Sequence, residues 1–358
     1  MKRFFCLSLL TLLPLISNAQ VETLKLPKGF KITQYAKVKG ARSLALGANG
    51  TVFVSTRDDA VYALTDKNHD GSVDQVMTLK DGMNSPNGIA VWKDDLYIAE
   101  SGTVYRIKDV EMNLRKPKVE KLKISLEPYR WHGWRYIKFS PTGDLYMGYG
   151  APCNVCDKKD YAQILKFTPP LWKRESVAHG VRNSVGFDFD PKTQELWFTD
   201  NGRDLMGDDI PSDELNHLKK EGSHFGFPFC HQGDTADKEY NSRKCSEFEP
   251  PVLKLGAHVA ALGMSFIPAG MFPSEYTGKV LIAEHGSWNR SKLAGYQIAL
   301  ATVNGDAPAK VETFIEGWLN EKEQSRSGRP VDLIFLKDGS LLISDDHAGV
   351  IYRVTYSK

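Results

Sequence analysis

The chain has 358 residues, and its 46 lysines and arginines against 44 aspartates and glutamates give a formal net charge of +2. Because the charges nearly balance and no long basic block occurs, the sequence gives no reason to expect a nucleic-acid partner. A small-molecule ligand is the more natural expectation.

The N-terminal segment has the pattern of an export signal. Lys2 and Arg3 precede the apolar run FFCLSLLTLLPLI, and small polar residues ending at Ala19 follow it. We predict a signal peptide over residues 1–19 and a mature chain over residues 20–358, exported to the periplasm or the extracellular space. The apolar run is short for a membrane span, and no later segment is long and apolar enough, so we expect no transmembrane segment in the mature chain.

One short motif recurs along the chain, and we call its copies the repeated phrases. It is a turn with Gly, Asp or Asn followed by β-branched and aromatic residues, a pattern typical of hairpins. The six copies are ANGTVFVSTRDDAVYAL, KDDLYIAESGTVYRI, PTGDLYMGYG, KTQELWFTDNG, TGKVLIAEHG and KDGSLLISDDHAGVIYRV. Their spacing suits four-stranded blades and predicts an all-β, six-bladed β-propeller over residues 20–358. The alternative, two β-sandwich domains, would need a Pro/Gly/Ser-rich linker near the middle, and the sequence has none.

The cysteine count favours disulfides. One of the five cysteines lies in the predicted signal peptide, and the four that remain form an even set in an exported protein. Cys153 with Cys156, and Cys230 with Cys245, would each close a local loop. A zinc site that adds Cys230 and His231 to the Cys-x-x-Cys pair is the alternative. That pair is not followed by histidine, so no c-type haem attachment is encoded.

Glycine-bearing loops that contain Arg, Lys, His or Asn fall between the predicted strands. In a propeller such loops converge at one end of the central axis, so residues distant in sequence can share one site. Arginine suits planar carboxylates, and several cations that face one cavity indicate a polyanionic ligand. Taken singly, each could equally be a surface charge or a loop clamp. The candidates are Arg42, Arg182, Arg290, Lys292 and Arg329.

Histidine supplies the candidate proton acceptor. Serine-nucleophile elbows, dinucleotide-binding loops and Walker loops are absent from the sequence, whereas imidazole is well suited to proton transfer near neutral pH. The histidines in the loops expected to converge are His132, His258, His285 and His347. Trp131 and Trp134 flank His132 and could be either core side chains or walls of a sugar-sized pocket.

The segment from Asp200 to Asp209 is acidic and glycine-rich. Calcium sites have this character, since carboxylates and backbone carbonyls share the coordination. A solvated turn is the alternative interpretation.

Several segments together resemble the sorbosone dehydrogenase group of pyrroloquinoline quinone (PQQ) enzymes, which is related to soluble glucose and aldose sugar dehydrogenases and to fungal pyranose dehydrogenases. They include RWHGWRYIKFSPTGDLYMGYGAPCNVC, GVRNSVGFDFDPKTQELWFTDNGRDLMGDDIPSDELN, KLGAHVAALGM, AEHGSWNRSKLAGY and SGRPVDL. The resemblance covers nearly the whole mature chain. It implies a six-bladed propeller with PQQ and Ca²⁺ on its axis.

The resemblance also implies roles for individual residues. His132 matches the base that takes the substrate hydroxyl proton, and Arg182 and Asn183 match a pair at the reactive edge of the quinone. Gly202 and Arg203 match residues whose backbone carbonyls bind the catalytic calcium.

The predicted cofactor contacts extend this set. Lys292 and Arg329 match cations that hold PQQ carboxylates, Arg42 resembles an arginine of the fungal branch, and Glu214 resembles a ligand of a second, structural calcium. The cofactor-binding residues that we predict are Arg42, Asn183, His258, His285, Arg290, Lys292 and Arg329.

The chain departs from the glucose dehydrogenase pattern at several positions. Arg203 stands where that pattern has proline, and Val331 where it has a second PQQ-binding arginine. The segment around His132 is one residue shorter than its counterpart, so His258 and His285 remain rival bases.

These features predict a PQQ- and calcium-dependent dehydrogenase that oxidises sugars or sugar-derived alcohols and aldehydes, aldose- or sorbosone-like, by hydride transfer to the quinone. Because no haem domain is encoded, electrons would pass to a separate acceptor, a cytochrome or a quinone. A calcium-dependent lactonase on the same fold is the alternative, although it would not need the Arg/Lys set. A non-catalytic binding scaffold is the third hypothesis.

Overall fold

The computed structural model describes residues 21–68, 70–303 and 308–357, and the predicted signal peptide lies outside these ranges. Short 3₁₀ turns lie at Val21–Thr23, Val110–Met112, Cys245–Glu247 and Ser274–Tyr276. Within the described ranges, no helix has the length and apolar character that a membrane crossing requires.

β-Strands make up the fold. They are β1 (Phe30–Lys37), β2 (Ala41–Leu46), β3 (Val52–Thr56), β4 (Val61–Thr65), β5 (Gln75–Lys80), β6 (Gly88–Trp92), β7 (Asp95–Ala99), β8 (Thr103–Ile107), β9 (Val119–Ser125), β10 (Ile137–Phe139), β11 (Leu145–Tyr149), β12 (Gln163–Thr168), β13 (Lys173–His179), β14 (Phe187–Phe189), β15 (Leu196–Asp200), β16 (Ser212–Leu218), β17 (Ser223–His224), β18 (Cys230–His231), β19 (Thr235–Ala236), β20 (Leu253–Ala257), β21 (Ala261–Phe266), β22 (Val280–Glu284), β23 (Gln297–Thr302), β24 (Lys310–Ile315), β25 (Leu319–Asn320), β26 (Ser325–Arg326), β27 (Pro330–Phe335), β28 (Leu341–Asp345) and β29 (Val350–Tyr356).

Six antiparallel sheets form the blades of a propeller, which confirms the predicted fold class. Blades 1 to 3 are β2–β5, β6–β9 and β10–β13, with β17 added in parallel to the edge of blade 3. Blade 4 is β14–β16 with β20, blade 5 is β21–β24, and blade 6 is β27–β29 with β1. Each of the six repeated phrases contains the second strand of one blade, namely β3, β7, β11, β15, β22 and β28.

The core is divided among the interfaces between neighbouring blades. Each of the six interfaces holds its own cluster of buried apolar side chains. Successive residues of a strand point to opposite faces of its sheet. Phe53 therefore packs toward blade 2, while Val52 and Val54 pack toward blade 6. This two-sided burial explains why the second strands are apolar almost throughout.

The ring closes through its N-terminal strand. β1 is the outermost strand of blade 6 and runs antiparallel to β29, with Phe30 opposite Tyr356 and Lys37 opposite Val350. The start and the end of the propeller are thereby held in one sheet, and blade 6 contacts blade 1.

One end of the propeller, which we call the site face, collects the polar loops. The innermost strand of a blade begins there and the second strand ends there, as the pairings Ala41 with Thr56 and Ala261 with Glu284 show. Residues just before innermost strands and just after second strands therefore gather around the axis at this end.

Candidate functional site

A cavity of about 220 Å³ opens on the site face between blades 3, 4 and 5. Its lining residues are Trp131, His132, Arg182, Asn183, Asn201, Gly202, Asp204, Asp213, His258, Ala260, Trp288 and Asn289. Trp131 and Trp288 are the exposed part of the lining, at 57% and 68% of their full accessible surface. The structure thus brings four predicted site residues and the rival base His258 around one cavity.

His132 is held in a single tautomer. Its Nδ1 lies 2.8 Å from the carbonyl oxygen of Ala151, and a carbonyl can only accept, so Nδ1 carries the proton and Nε2 keeps a lone pair. No residue in the described ranges hydrogen-bonds to Nε2. Burial, and then the positive charge of Arg182, lower the pKa of His132 to about 3. The ring is therefore a neutral acceptor at physiological pH.

The backbone at His132 is fitted closely to its neighbours. His132 has a φ of 48°, a left-handed conformation that costs free energy in a residue other than glycine. A Cβ atom at Gly150 would lie 2.6 Å from His132 Cβ and 3.0 Å from the Arg182 carbonyl oxygen. Glycine at position 150 is thus required for this approach.

Arg182 is a buried guanidinium with every N–H group bonded. Nε donates to the Asn154 carbonyl at 2.8 Å, and Nη1 donates to the carbonyls of Asn201 and Gly202 at 3.1 and 2.6 Å. Nη2 donates to Asn154 Oδ1 at 2.8 Å and to Asp204 Oδ2 at 2.9 Å. In this arrangement Arg182 is a fixed positive charge beside His132 with no donor left over.

Asp200 sets the backbone that carries Arg182 and Asn183. Its two carboxylate oxygens accept the N–H groups of Arg182 at 2.8 Å and of Asn183 at 2.6 Å. Burial raises the pKa of Asp200 to about 7, although these two hydrogen bonds oppose the shift. Asp200 is the last residue of β15, the second strand of blade 4. It therefore positions the loop that leads from blade 3 into blade 4.

A second buried group of side chains, formed by Arg42, His285 and Asp346, joins blades 1, 5 and 6. Asp346 follows β28 and accepts from Arg42 Nη1 at 2.9 Å and from His285 Nε2 at 2.8 Å. Arg42 also donates through Nε to Asn87 Oδ1 at 2.7 Å, and its guanidinium lies 4.1 Å from the ring centroid of Trp134. Trp134 is thus a neighbour of the cation Arg42, and it lines an adjacent cavity of about 320 Å³ instead of the one at His132.

Arg329 is half-buried beside this group, and its guanidinium, 5.7 Å from the ring centroid of Tyr296, has only carbonyl oxygens as hydrogen-bond acceptors within the described ranges. Nε and Nη2 donate to the carbonyls of His285 and Gly286 at 2.9 and 2.6 Å. No carboxylate in the described ranges pairs with Arg329, and its Nη1 has no partner there. Arg42 likewise leaves Nη2 unbonded within these ranges. Each arginine therefore keeps a donor group for a ligand.

The structure separates the three candidate bases. His258 donates from Nε2 to the Gly207 carbonyl at 2.8 Å, and its Nδ1 lies 3.4 Å from the Asn289 amide nitrogen, so both ring nitrogens are engaged. His285 lies outside the lining of the His132 cavity and uses Nε2 to bond Asp346. Burial lowers the pKa of His285 to about 4.

The remaining predicted cations are less well placed. Arg290 donates to the carbonyls of Lys292, Asp208 and Ala257 and lies 3.4 Å from Asp209, so it clamps the acidic loop. Lys292 is exposed. Their role as cofactor contacts stays a prediction.

Two of the three predicted calcium ligands, the Gly202 carbonyl and the Glu214 carboxylate, already accept hydrogen bonds from protein groups. The Gly202 carbonyl accepts from Arg182, and the Arg203 side chain forms ion pairs with Asp237 and Glu239. Glu214 accepts the N–H of Gln232 at 2.7 Å and the amide of Asn216 at 2.9 Å. Burial raises the pKa of Glu214 to about 8. In the described part of the chain, no group of three or more His, Cys, Asp or Glu side chains forms a metal site.

The cysteines form the two predicted disulfides, Cys153–Cys156 and Cys230–Cys245, so neither pair supplies thiolates to zinc. His231 instead bonds to Asp237 at 2.8 Å.

Several site residues escaped the sequence interpretation. Two of them carried a signal, because Asn154 lies inside the Cys-x-x-Cys pair and Asp346 directly follows a repeated second strand. The others are Asn201, Asp204, Asp213, Trp288 and Asn289. Of these, Asn201 and Asp204 lie in the acidic segment from Asp200 to Asp209, which was predicted only as a segment. Their convergence depends on how neighbouring blades pack.

A comparison with protein families now adds to this geometry. Residues 171–357, just over half of the chain, match the model of the family described as TrAA12-like. The chain belongs to the TrAA12-like family. The match spans Arg182, Gly202, His285, Arg329 and Asp346, although not His132.

A relative of this TrAA12-like chain occurs in Borreliella burgdorferi. It is 35% identical over 379 residues, which cover 98% of this chain and 97% of the relative, and it is described as an uncharacterized protein. This similarity extends over the N-terminal blades, which the family model does not match.

Solved structures with the same fold include three relevant here. The holo form of the pyranose dehydrogenase PQQ domain from Coprinopsis cinerea is 18% identical with a TM-score of 0.79, and covers 93% of this chain and 97% of its own. A calcium structure of the Trichoderma reesei family AA12 protein is 21% identical with a TM-score of 0.81 and the same two coverages. The PQQ-bound aldose sugar dehydrogenase of Streptomyces coelicolor is 19% identical, with a TM-score of 0.63 and coverages of 93% and 100%. These similarities establish the propeller fold.

Proposed function

We propose that the protein is a PQQ-dependent dehydrogenase that oxidises sugars or sugar-derived alcohols and aldehydes. The observation that carries the proposal is a neutral His132 on the same face as Arg42 and Arg329. Among the described residues, nothing bonds to His132 Nε2, and each of the two guanidinium groups keeps an unbonded donor. A sugar hydroxyl needs a proton acceptor, and a polyanionic cofactor needs cations.

The donor set fits PQQ. The cofactor carries three carboxylates, and Arg329 is a half-buried cation without a carboxylate partner in the described ranges. Arg42 is partly neutralised by Asp346 but still leaves Nη2 unbonded there. Trp134 lies against Arg42 and supplies a flat apolar surface beside the cations. The solved structures that share the fold include PQQ-bound forms, which supports the same cofactor here.

The residues then divide the work of oxidation. When bound, PQQ would supply an ortho-quinone that can accept a hydride, which carries both electrons, from the substrate carbon. His132 takes the hydroxyl proton at Nε2, so that the C–H and O–H bonds break and a carbonyl forms. Burial, and then the positive charge of Arg182, keep His132 neutral before the reaction, so that its Nε2 lone pair is available. Trp131 and Trp288 give the mouth of the cavity two aromatic surfaces suited to a sugar ring.

Calcium fits less well than PQQ. Calcium takes about six to eight oxygen ligands, whereas the Gly202 carbonyl accepts from Arg182 and both Glu214 oxygens accept from protein N–H groups. We retain Ca²⁺ at Gly202, Arg203 and Glu214 as a proposal and assign it no step in the reaction. A calcium structure exists for the T. reesei AA12 protein.

The finer parts of the proposal concern substrate, acceptor and location. We infer an aldose or a sorbosone-like substrate and a separate cytochrome or quinone as acceptor. We also infer that residues 1–19 direct export and that residues 20–358 form one catalytic domain. The two disulfides support an oxidising compartment, periplasmic or extracellular. The lactonase alternative has no supporting observation in the described part of the chain.

A titration of the purified protein with PQQ, followed by tryptophan fluorescence and calorimetry, tests the cofactor. We expect saturable binding, weakened at least about tenfold in Arg329→Ala, because an arginine–carboxylate pair of roughly 1.4 kcal/mol or more is lost. Arg106→Ala, on the outer surface of blade 2 where Arg106 pairs with Glu120, is the matched control and should bind like the wild type. Absence of binding at about 100 µM PQQ, with and without Ca²⁺, would overturn the proposal.

A substrate panel tests the reaction. The PQQ-loaded protein should reduce an artificial dye with aldoses or sorbosone as donor. Hydrolysis of lactones without added quinone, together with no dye reduction by any sugar, would favour the lactonase instead.

A further inference from the structure

The short segment after β11, residues 151–156, contacts both residues at the centre of the proposed reaction. The Ala151 carbonyl accepts from His132 Nδ1 at 2.8 Å, which fixes the tautomer of the ring. The Ala151 N–H donates to the Arg182 carbonyl at 2.8 Å. One residue of this segment therefore links the proposed base to the loop that carries Arg182.

Asn154 holds the guanidinium of Arg182 from both its backbone and its side chain. Its carbonyl accepts from Nε and its Oδ1 accepts from Nη2, both at 2.8 Å. Asn154 Oδ1 also accepts the Asp204 N–H at 2.8 Å, and Nδ2 donates to the Asp204 carbonyl at 3.1 Å. The amide thus fixes Arg182 and its carboxylate partner Asp204 relative to each other. A substitution that removes the amide releases three of these four contacts.

The disulfide Cys153–Cys156 closes the loop around Asn154. Cys153 and Val155 pack against a small apolar cluster of Ala151, Ala162 and Phe227. A closed loop of this kind has few conformations available. Because Asn154 is already ordered, little free energy is spent on ordering it when a ligand binds. The disulfide is therefore placed to preorganise the contacts to Arg182.

We propose that the Cys153–Cys156 loop is a clamp that positions His132 and Arg182, and that Asn154 is its positioning residue. The inference deepens the proposed dehydrogenase function and rests on it for its kinetic consequences. Asn154 acts through Arg182 and does not itself reach the substrate cavity, whose lining it does not join. A displaced guanidinium would no longer keep its charge at a fixed distance from His132.

The clamp can be tested without any ligand, by ¹⁵N-arginine NMR of the purified protein. The Nη2–H groups of Arg182, identified by their loss in Arg182→Lys, should exchange slowly with solvent because they are buried and bonded to Asn154 Oδ1 and Asp204 Oδ2. We expect Asn154→Ala and the double variant Cys153→Ser/Cys156→Ser to speed this exchange at least about tenfold. Asn113→Ala is the matched control, since the Asn113 amide also holds a backbone segment, through the carbonyls of Lys108 and Asp109, but lies far away in blade 2.

The same variants are then compared as PQQ-loaded enzymes. Asn154→Ala should lower kcat by about 10- to 100-fold with a smaller change in KM, since misplacement of a group near the reacting atoms acts on the transition state. Asn113→Ala should keep both constants within about twofold.

The outcomes separate the clamp from the function that it serves. Unchanged Arg182 exchange in Asn154→Ala would overturn the clamp, as would unchanged kcat in a variant that binds PQQ. If the wild type binds no PQQ, the proposed function fails while the exchange measurement still decides the clamp. If the double cysteine variant does not fold, Asn154→Ala alone gives the answer.

Discussion

His132 takes its tautomer from one hydrogen bond and its charge state from its surroundings. The Ala151 carbonyl places the proton on Nδ1, and burial with the nearby Arg182 charge lowers the ring's pKa to about 3. A base with a low pKa is weak, but it is never protonated at the pH of the cell. The structure thus offers a permanently available acceptor, which suits a reaction whose main driving force comes from a cofactor.

Replacement of this acceptor gives the first prediction. His132→Gln keeps a polar side chain of similar size but cannot take a proton, so we expect kcat of the PQQ-loaded enzyme to fall by about 10²- to 10⁴-fold. Dye-reduction kinetics measure the loss. His217→Gln, on blade 4 where His217 stacks on Trp197, is the control and should stay within about twofold of wild type. A His132→Gln enzyme with wild-type kcat would exclude His132 as the base.

Glu284 shows how a buried carboxyl makes stability depend on pH. It ends β22, only its Oε2 has a partner within the described residues, the Gln297 amide at 2.8 Å, and Oε1 is buried without one. Burial, and then the charge of Asp213, raise the pKa of Glu284 to about 8. The folded protein therefore holds a proton at neutral pH that the unfolded chain, with a pKa near 4.5, releases.

The second prediction follows from the raised pKa of Glu284 in the folded protein. Between about pH 4.5 and 8 the folded state binds more protons than the unfolded state at this site, so the contribution of Glu284 to stability is lost as pH rises through the window. Glu284→Gln removes the titration while its carbonyl can still accept from Gln297. From pH 5 to pH 8, the free energy of unfolding of the variant should therefore rise by about 1 kcal/mol or more relative to wild type.

Urea denaturation at the two pH values measures this difference. Glu323→Gln, at an exposed position, is the control and should follow the wild-type pH dependence. Parallel curves for Glu284→Gln and wild type would show that Glu284 ionises normally in the folded protein.

Among the structural elements, the loops that follow the second strands join different blades by buried charge. The loop after β28 carries Asp346, which bonds to Arg42 at the start of blade 1 and to His285 in blade 5. Burial alone would raise the pKa of Asp346, but the contacts with His285 and Arg42 hold it below its usual value. One carboxylate therefore fixes the loops of three blades at the site face.

The third prediction concerns this carboxylate. Asp346→Asn leaves the buried Arg42 without a counter-charge, so we expect the ligand-free protein to lose about 3–5 kcal/mol of unfolding free energy. Urea denaturation measures the change. Asp209→Asn breaks an exposed pair with Arg290, in which Asp209 is 90% exposed, and should cost less than about 1 kcal/mol. An equal effect of the two substitutions would contradict the assignment of a buried pair.

At the scale of the whole molecule, closure of the ring depends on β1. Phe30 begins that strand, and its ring packs edge-on against Phe272 at 4.8 Å and Phe314 at 5.1 Å between ring centroids, both beside blade 5. It also contacts Tyr356 in its own sheet at 5.0 Å. A single side chain thus ties the closing strand both to its sheet and to the preceding blade.

The fourth prediction tests this closure. Phe30→Ala removes a buried ring from the interface between blades 5 and 6, which should destabilise the protein by about 3–5 kcal/mol. Hydrogen exchange should speed up most in β29, whose residues pair with β1. Leu171→Ala is the control, because Leu171 is 86% exposed and its loss should cost less than about 0.5 kcal/mol. A loss of protection spread evenly over all blades would argue against a local role for Phe30 in closure.

The propeller was predictable because its signal is local and repeated. Each repeated phrase contains the second strand of a blade, and such strands are buried on both faces, so their apolar run stands out in sequence. The closing strand β1 was not predictable in the same way. Its partner β29 lies at the other end of the chain, and the pairing depends on completion of the ring.

By itself, the sequence determined the fold class and the loops that carry His132, Arg182 and Arg329, because these depend on local patterns. It favoured the two disulfides over a zinc site, and the structure decided between them. Only the tertiary structure decided which residues act on one another. It paired Arg42 with Asp346 from opposite ends of the chain, bound Arg182 to Asn154 between two loops of blade 3, and left His132 Nε2 without a hydrogen bond among the described residues. The loops meet at the axis only because the ring is closed, and a pattern in the linear sequence does not give distances across that ring.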